Sequence, residues 1–315
     1  MLSKTAVRAA RQAPTTRAFA TSVAARRAHT PALGDIRPDQ PETFNSRQQA
    51  FRTQLAEAQK QREARSAAAA AETEPPRKAG PLTNLIYGTK EGRELDAQIE
   101  ASFSQVLARG KYVHSIEFHD VKPECVEEYV DLVGKWYPRV ATAAENKVHL
   151  VGSWRTEVGD CDTFVHIWEY QRYQGYHASL NKISHNPQYP DFDKKLRALV
   201  HGKRTSLMQE FSFWPTTPPR NLGGLFELRS GRRTGGADSK ARREVMEGVG
   251  AWFVQIGDLN TVHHLWQFAD LEERKIRREK SWGIEGWAET VHKTVPLIQE
   301  MKSRILVPMP WSPVS

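Results

Sequence analysis

The sequence predicts an α+β fold in which one small unit of strands and helices occurs twice. First, Val151–Tyr170 (VGSWRTEVGDCDTFVHIWEY) and Val249–Phe268 (VGAWFVQIGDLNTVHHLWQF) align without a gap, sharing Gly152/Gly250, Trp154/Trp252, Gly159/Gly257, Asp160/Asp258, Thr163/Thr261, His166/His264 and Trp168/Trp266. Second, each copy has β-branched and aromatic residues on both sides of a Gly-Asp turn, which is a hairpin pattern. Third, the elements around the first hairpin read strand, helix, strand, strand, helix, strand, the split βαβ order of ferredoxin-like domains. An internal repeat outranks local clues. Two tandem ferredoxin-like repeats are therefore expected, at residues 111–215 and 221–315. They should pack against each other as an intramolecular pseudo-dimer.

Composition sets the bounds. A chain of 315 residues with 39% hydrophobic residues and nine tryptophans can fill two cores. Of the formal charge of +8, six charges come from Lys4, Arg8, Arg11, Arg17, Arg26 and Arg27, all ahead of the first acid, Asp35. The body is close to neutral, so no basic face for nucleic acid is implied. Two cysteines without a CxxC pair, Cys125 and Cys161, give neither a disulfide framework nor a zinc site. No apolar run reaches the ~18 residues of a membrane-spanning helix.

Residues 1–34 are rich in Arg, Ala, Ser and Thr and lack acids, the composition of a mitochondrial transit peptide. Arg17-Ala-Phe19 resembles an arginine-guided matrix cleavage site, with cutting after Phe19. This predicts import to the matrix. Residues 35–81 form a low-complexity linker. Phe51, Leu55 and Ala58 keep helical spacing, but the apolar face is thin, and a loose helix and disorder both stay open. Residues 82–110 predict a docking helix, with Leu95, Ile99, Phe103, Val106 and Leu107 on one face and Gly110 as its stop.

In the first repeat, Tyr112–Val121 alternates as a strand. Lys122-Pro123-Glu124 opens a helix with Val126, Tyr129, Val130, Val133, Trp136 and Tyr137 on one stripe. After the hairpin, helical spacing through Tyr176, Leu180 and Ile183 breaks at Asn186-Pro187 and resumes over residues 191–200. Thr205–Trp214 is the closing strand. The second repeat runs from a strand at Leu225–Ser230 through helical residues 271–298 to a strand at Ser303–Pro308. Its first helix is shortened: Glu117 to Gly152 matches the much shorter Glu227 to Gly250. Gly231–Ser239 stands there as a loop, followed by a short helical piece, Lys240–Glu247.

Because side chains alternate on a strand, Phe164, His166, Trp168 and Tyr170 share one face, as do Val262, His264, Trp266 and Phe268. If helices cover Val165 and Ile167, these aromatic faces point into the barrel formed between the two sheets. His166, Trp168, Tyr170, His264, Trp266 and Phe268 are then candidate ligand-binding residues, where an imidazole could hold haem or move a proton. The simpler reading makes them core residues with hydrogen-bonded histidines. His263 points away from His264, so the pair cannot chelate one ion, and no metal ligand or catalytic residue is assigned. Glu127-Glu128-Tyr129-Val-Asp-Leu132 fits an acidic-aromatic-x-x-aliphatic adaptor motif, but Tyr129 and Leu132 belong to the apolar stripe of a helix. Asp160 and Asp258 are read as turn residues, and Arg204 and Arg304 as matching positions on the final strands.

Phe118–Tyr129, Leu150–Trp154, Glu210–Trp214, Phe226–Ser230, Val262–Trp266, Thr294–Leu297 and Met301–Ile305 resemble the NipSnap family, from Lys111 to the C-terminus. The resemblance implies tandem dimeric α/β-barrel domains, a mitochondrial address and, for animal members, a role in marking damaged mitochondria for autophagy. It implies no catalytic residue. Relatives keep a long helix where Gly231–Ser239 stands. A deletion, a retained intron or a mis-called splice site would each explain the difference.

Two functions follow as expectations. One is a non-enzymatic mitochondrial interaction protein of the NipSnap type, with protein partners, no cofactor and a homo-oligomer as one state. The other is a barrel that binds haem or a small apolar ligand, with monooxygenase-like chemistry.

Overall fold

Strict alternation and β-branched content make strands of β1 (Tyr112–Val121), β2 (Val148–Val158), β3 (Thr163–Gln171) and β4 (Val200–Glu210). The same holds for β5 (Leu225–Arg233), β6 (Glu247–Ile256), β7 (Thr261–Phe268) and β8 (Ile298–Pro308). A computed structural model describes residues 30–37, 40–72, 112–211, 213–233, 245–285 and 287–315. The expected transit peptide up to residue 29, the Pro75–Pro81 linker, the docking helix 82–110 and most of the 231–239 loop lie outside the described residues.

The eight strands form a closed barrel in the order β1-β3-β2-β8-β5-β7-β6-β4. Strand order is β4-β1-β3-β2 in the first half and β8-β5-β7-β6 in the second. Two seams join them, β2 to β8 at Trp154↔Pro308 and β4 to β6 at Glu210↔Trp252. Closure pairs every strand on both sides, which removes the exposed edges of an open sheet.

Both hairpins turn in the same way. Gly159 and Gly257 have φ of 116° and 113°, and Asp162 and Asn260 follow at 61° and 63°. These are positions that glycine and short polar residues tolerate. Asp160 also anchors a seam, because its carboxylate accepts from Arg304 Nε at 2.9 Å and Nη2 at 2.6 Å.

The barrel interior draws on all eight strands: Ile116, Val165, Ile167, Met208, Leu228, Leu265 and Leu306 surround Trp154 and Trp252. Room for each indole comes from a glycine. A Cβ on Gly152 would lie 2.3 Å from the Trp154 ring, and one on Gly250 2.4 Å from Trp252. Within each half, the Gly-x-Trp spacing is thus a packing requirement.

Helix α1 (Pro41–Glu72) lies ahead of the barrel. It docks through Phe44, buried against Leu222 and Ala269 with Phe51 beside it. Gln48 and Arg52 donate to Glu247, at 2.7 Å from Gln48, and Arg220 pairs with the same carboxylate. Leu55 is 44% exposed, and among the described residues the buried contact lies in the first turns, at Phe44. Of residues 35–81, Pro41–Glu72 form this helix.

In the first half, α2 (Val126–Thr142), α3 (Arg172–Ser184) and α4 (Tyr189–Leu199) cover the sheet. Tyr129, Val133, Trp136, Tyr137 and Val140 of α2 are buried, as the apolar stripe requires. The second half has α5 (Leu271–Lys280), capped by Asp270 accepting from Glu273 N, and α6 (Trp287–Thr294). Residues 234–246 separate β5 from β6, where 122–147 separate β1 from β2. Gly231–Arg233 complete β5 and Glu247 begins β6, so the expected helical piece Lys240–Glu247 ends as strand, and its residues 240–244 lie outside the described residues.

Register corrects two equivalences. Glu117 faces His166 and Arg229 faces His264, so Arg229 is the counterpart of Glu117, not Glu227. Ile116 pairs with Ser206 and Leu228 with Arg304, so Arg304 matches Ser206, not Arg204. In both cases, short local likeness suggested an alignment two residues away from the one that strand pairing imposes.

Candidate functional site

The orientation of the aromatic face differs from expectation. Phe164, Trp168 and Tyr170 lie in one cluster with Tyr129, Val133, Trp136 and Tyr137, between the sheet and α2. His166 touches Tyr129 and Tyr137 in the same layer. The residues inside the barrel are Val165 and Ile167. His166, Trp168 and Tyr170 thus stand outside the barrel wall, under the helices. In the second half Val262, Trp266 and Phe268 likewise pack outward, with Trp214. His264 stacks on Trp214 at 5.6 Å and 12° between planes. His263 faces inward, bonded to Ser230 Oγ at 2.9 Å, so the two adjacent histidines do point apart.

Between the first sheet and its helices is a cavity of about 190 Å³, walled by Trp136, Tyr137, Trp168, Tyr170 and Phe192 among others. Glu117 and His119 enter it from β1, and Lys203 from β4. Strand alternation puts Ser115, Glu117 and His119 on this face, opposite Ile116 and Phe118. Trp168, Tyr170 and Tyr137 are thus brought to one cleft with an acid that the sequence reading did not single out.

A buried hydrogen-bond chain lies at the back of the cleft. His119 Nδ1 is 2.7 Å from the Tyr129 hydroxyl, and that hydroxyl is 2.8 Å from His166 Nε2. His166 Nδ1 continues to Ser153 Oγ at 2.9 Å. With one proton, the Tyr129 hydroxyl donates to one imidazole and accepts from the other. All four groups are buried, so each bond replaces water that the site excludes. Tyr129 and its partners come from α2, β1, β3 and β2, far apart in the chain.

Glu117 lies at the front. Its Oε2 is 3.8 Å from His119 Nε2 and 3.5 Å from the Tyr137 hydroxyl. Burial pushes its carboxyl up to about 7, against the opposing pull of Lys203 and of hydrogen bonds from Tyr137 and Ser115. Burial, helped by the charge of Lys203, lowers His119 to about 3. His166 is driven well below its usual range by burial and then by His119. Tyr129 and Tyr137 are raised by burial and by the Glu117 charge. At neutral pH both imidazoles are neutral and the phenols protonated. The carboxyl alone is poised to change state.

The second half carries the opposite charge at the same register position. Glu227 accepts from Arg274 Nη2 and from Ser303 Oγ, both at 2.7 Å, with Arg229 and Arg278 nearby. Burial would raise the Glu227 carboxyl, but these bonds and charges outweigh it and hold it low. This is an ion cluster. No aromatic cavity with a poised acid is repeated here among the described residues.

Tyr129, the aromatic of the adaptor-like motif, is fully buried, so it cannot extend to add a strand. Cys125 is partly buried at the start of α2 and Cys161 is exposed in the hairpin turn. Among the described residues, no helix is long and apolar enough to cross a membrane.

One protein-family model, NIPSNAP, matches residues 119–215 and 236–313. The chain belongs to the NIPSNAP family. This NIPSNAP chain is 39% identical over 213 residues to Protein NipSnap homolog 1 of Danio rerio, covering 64% of this chain and 76% of that one. It is 35% identical over 235 residues to Protein NipSnap homolog 2 of Homo sapiens, covering 70% and 82%. Among solved structures, a putative monooxygenase from Lactobacillus acidophilus aligns at TM-score 0.46 and 12% identity, over 63% of this chain and 94% of that one. A NIPSNAP family protein from Agrobacterium tumefaciens aligns at TM-score 0.28 and 17% identity, over 30% and 90%.

Proposed function

We propose that this NIPSNAP protein binds a small, largely apolar molecule in the first-half cleft and exchanges a proton with it through Glu117. The observation that carries this reading is a carboxyl, 23% exposed, that lines an aromatic cavity and has its pKa raised to about 7. A group near neutrality is the right acid or base for physiological pH, and such groups concentrate at functional sites. His119, Tyr129, His166 and Ser153 hold the back wall. Trp136, Trp168 and Tyr170 supply the apolar surface, which is the usual balance of a ligand site. Of the residues first singled out, His166, Trp168 and Tyr170 belong to this site. His264, Trp266 and Phe268 belong to the counterpart that Trp214 fills.

The test is fluorescence titration with 2-naphthol, a flat apolar molecule with one hydroxyl group, at pH 6 and pH 8. The expected result is quenching of the cleft tryptophans, with affinity that depends on pH in the native protein and is independent of pH in Glu117→Gln. Saturable binding left unchanged in its pH response by Glu117→Gln would remove the role given to the carboxyl. No binding of this or related phenols would remove the site.

We further propose a mitochondrial location and derivation of the two halves from one duplicated unit. The acid-free, arginine-rich residues 1–34 support the first. Equal strand order, the shared Gly-x-Trp packing and a family match in each half support the second. The single chain then does internally what a homodimer of half-length units would do.

A second reading is a protein-interaction role, including the quality-control role implied for animal relatives. It is favoured by exposed apolar residues on the second half: Trp282 at 59%, Val295 at 55%, Leu271 at 45% and Ile276 at 40%. Crosslinking from position 282 in intact mitochondria tests it. Specific protein adducts lost in Trp282→Ser support this role, and an adduct pattern unchanged by that substitution removes it.

A further inference from the structure

His114 lies on β1 three residues before Glu117 and therefore faces the other way, towards the barrel interior, opposite Glu169 of β3. Its Nε2 is 3.1 Å from Glu169 Oε2 and 3.1 Å from Thr216 Oγ1. Thr216 in turn donates from N and Oγ1 to Glu210 Oε2, both at 2.8 Å, and accepts from Trp252 Nε1 at 3.0 Å. The imidazole and the two carboxylates offer one ligand atom each within 4.8 Å of one another. We propose that His114, Glu169 and Glu210 form a site for one divalent first-row transition ion at this mouth of the barrel.

Charge supports this first. His114 is fully buried and Glu210 is 7% exposed, while the Glu169 side chain keeps 21%. Among the described residues, neither carboxylate has a Lys or Arg ion-pair partner; His114 bonds to Glu169, and His149 stands opposite Glu169 on β2. Two carboxylate side chains this close, one of them buried, concentrate negative charge that a bound cation would offset. Among the described residues His114 Nδ1 has no hydrogen-bond partner, so the imidazole is held only by the Nε2 edge that faces Glu169 and Thr216.

The other half shows that the fold does not require this set. By register, Phe226 and Gln267 stand where His114 and Glu169 stand, and Pro308 occupies the place of Glu210. Barrel closure is achieved there without a charged group at any of the three positions. An entry path exists as well. Glu169, Glu210 and Thr216 line a cavity of about 1090 Å³ bounded by α1 and the Pro215–Arg220 segment. The ion would take Nε2 of His114, one oxygen from each glutamate and water from the cavity. Nitrogen with carboxylate oxygen suits zinc, manganese or ferrous iron, whereas thiolate-seeking ions have no ligand here.

The experiment uses the full chain stripped with chelator. It is titrated with Zn²⁺ by calorimetry and with Co²⁺ by visible absorption, alongside Glu169→Gln, Glu210→Gln and His114→Gln. One equivalent should bind, release protons and raise Tm. Each variant should weaken binding at least tenfold, while His185→Ala, an exposed residue outside this cavity, should leave it unchanged. Co²⁺ should give absorption bands of a low-symmetry site that vanish in Glu169→Gln. Glu169 is partly exposed and, among the described residues, its side chain bonds to His114, so its variant is expected to fold even if the others do not. Failure of the native chain to take up Zn²⁺ or Co²⁺, or uptake that persists in Glu169→Gln, would overturn the proposal.

Discussion

Glu117 and Arg229 occupy the same register position in the two halves, one opposite His166 and the other opposite His264. An acid lines a cavity in one half, and a guanidinium joins an ion cluster in the other. The common framework therefore carries an acid-lined cleft in one half and an ion cluster in the other.

Glu117 predicts a pH signature. Its pKa is raised from 4.5 to about 7, so the folded state binds the proton more tightly than the unfolded chain. That stabilisation is complete below pH 4.5 and is lost as pH rises through 7, on a scale of about 3 kcal/mol by linkage. His119, lowered from 6.5 to about 3, acts in reverse: its contribution is present above pH 6.5 and lost as pH falls. Urea unfolding should show Glu117→Gln gaining on the native protein between pH 4.5 and 7. Parallel stability curves across that range would refute this assignment.

Tyr129→Phe removes one oxygen and strands two imidazole nitrogens in a dry layer. The expected loss is about 2–6 kcal/mol, one to three for each polar group left unpaired. Equilibrium denaturation measures it. A loss under about 0.5 kcal/mol, the size of an ordinary surface change, would mean that the chain His119–Tyr129–His166 does not stabilise the fold.

Gly152→Ala and Gly250→Ala each place a methyl group inside the space of an indole ring. Both should destabilise by about 1–3 kcal/mol through overpacking, and by similar amounts. Combining Gly152→Ala with Trp154→Phe should cost less than the sum of the single changes, as expected for residues in contact. Full additivity in thermal melts would contradict the packing relation.

The docked start of α1 can be separated from its far end. Phe44→Ala should abolish amide protection over residues 44–55 while β1 to β8 keep theirs, because the contact is local to the helix. Leu55→Ala, at an exposed site, should change stability by less than about 0.5 kcal/mol. Hydrogen exchange by mass spectrometry reads both.

For the leader, residues 1–34 fused to a fluorescent protein should direct it to mitochondria. Replacing Arg8, Arg11 and Arg17 by Gln should leave it in the cytosol. Imaging decides the outcome, and a mitochondrial signal from the triple variant would disprove the arginine-guided address.

Much of this fold could be read from the chain. β1 begins and ends at Tyr112 and Val121 as alternation predicts, both hairpins are present, and the helical break at Asn186-Pro187 separates α3 from α4. What sequence could not decide was which face of β3 looks inward. Phe164 to Tyr170 is apolar on both faces, so alternation divides it into two sets without naming the core of either. On β3 the barrel takes Val165 and Ile167, and Phe164, Trp168 and Tyr170 pack under the helices. The site was less legible. Glu117 and His119 are neighbours on one face of β1, but Tyr129, Ser153 and His166 join them only through the packing of α2, β2 and β3. His114 was hidden for the same reason, since Glu210 and Thr216 reach it only after the strands close.

The two seams have an evolutionary corollary. In a ring assembled from identical subunits, any substitution is made at both ends at once, so a change useful in one cleft must be tolerated in the other. Here β2 meets β8 and β4 meets β6 within a single polypeptide. Each mutation is felt once, and either half is free to diverge while its companion keeps the ring intact.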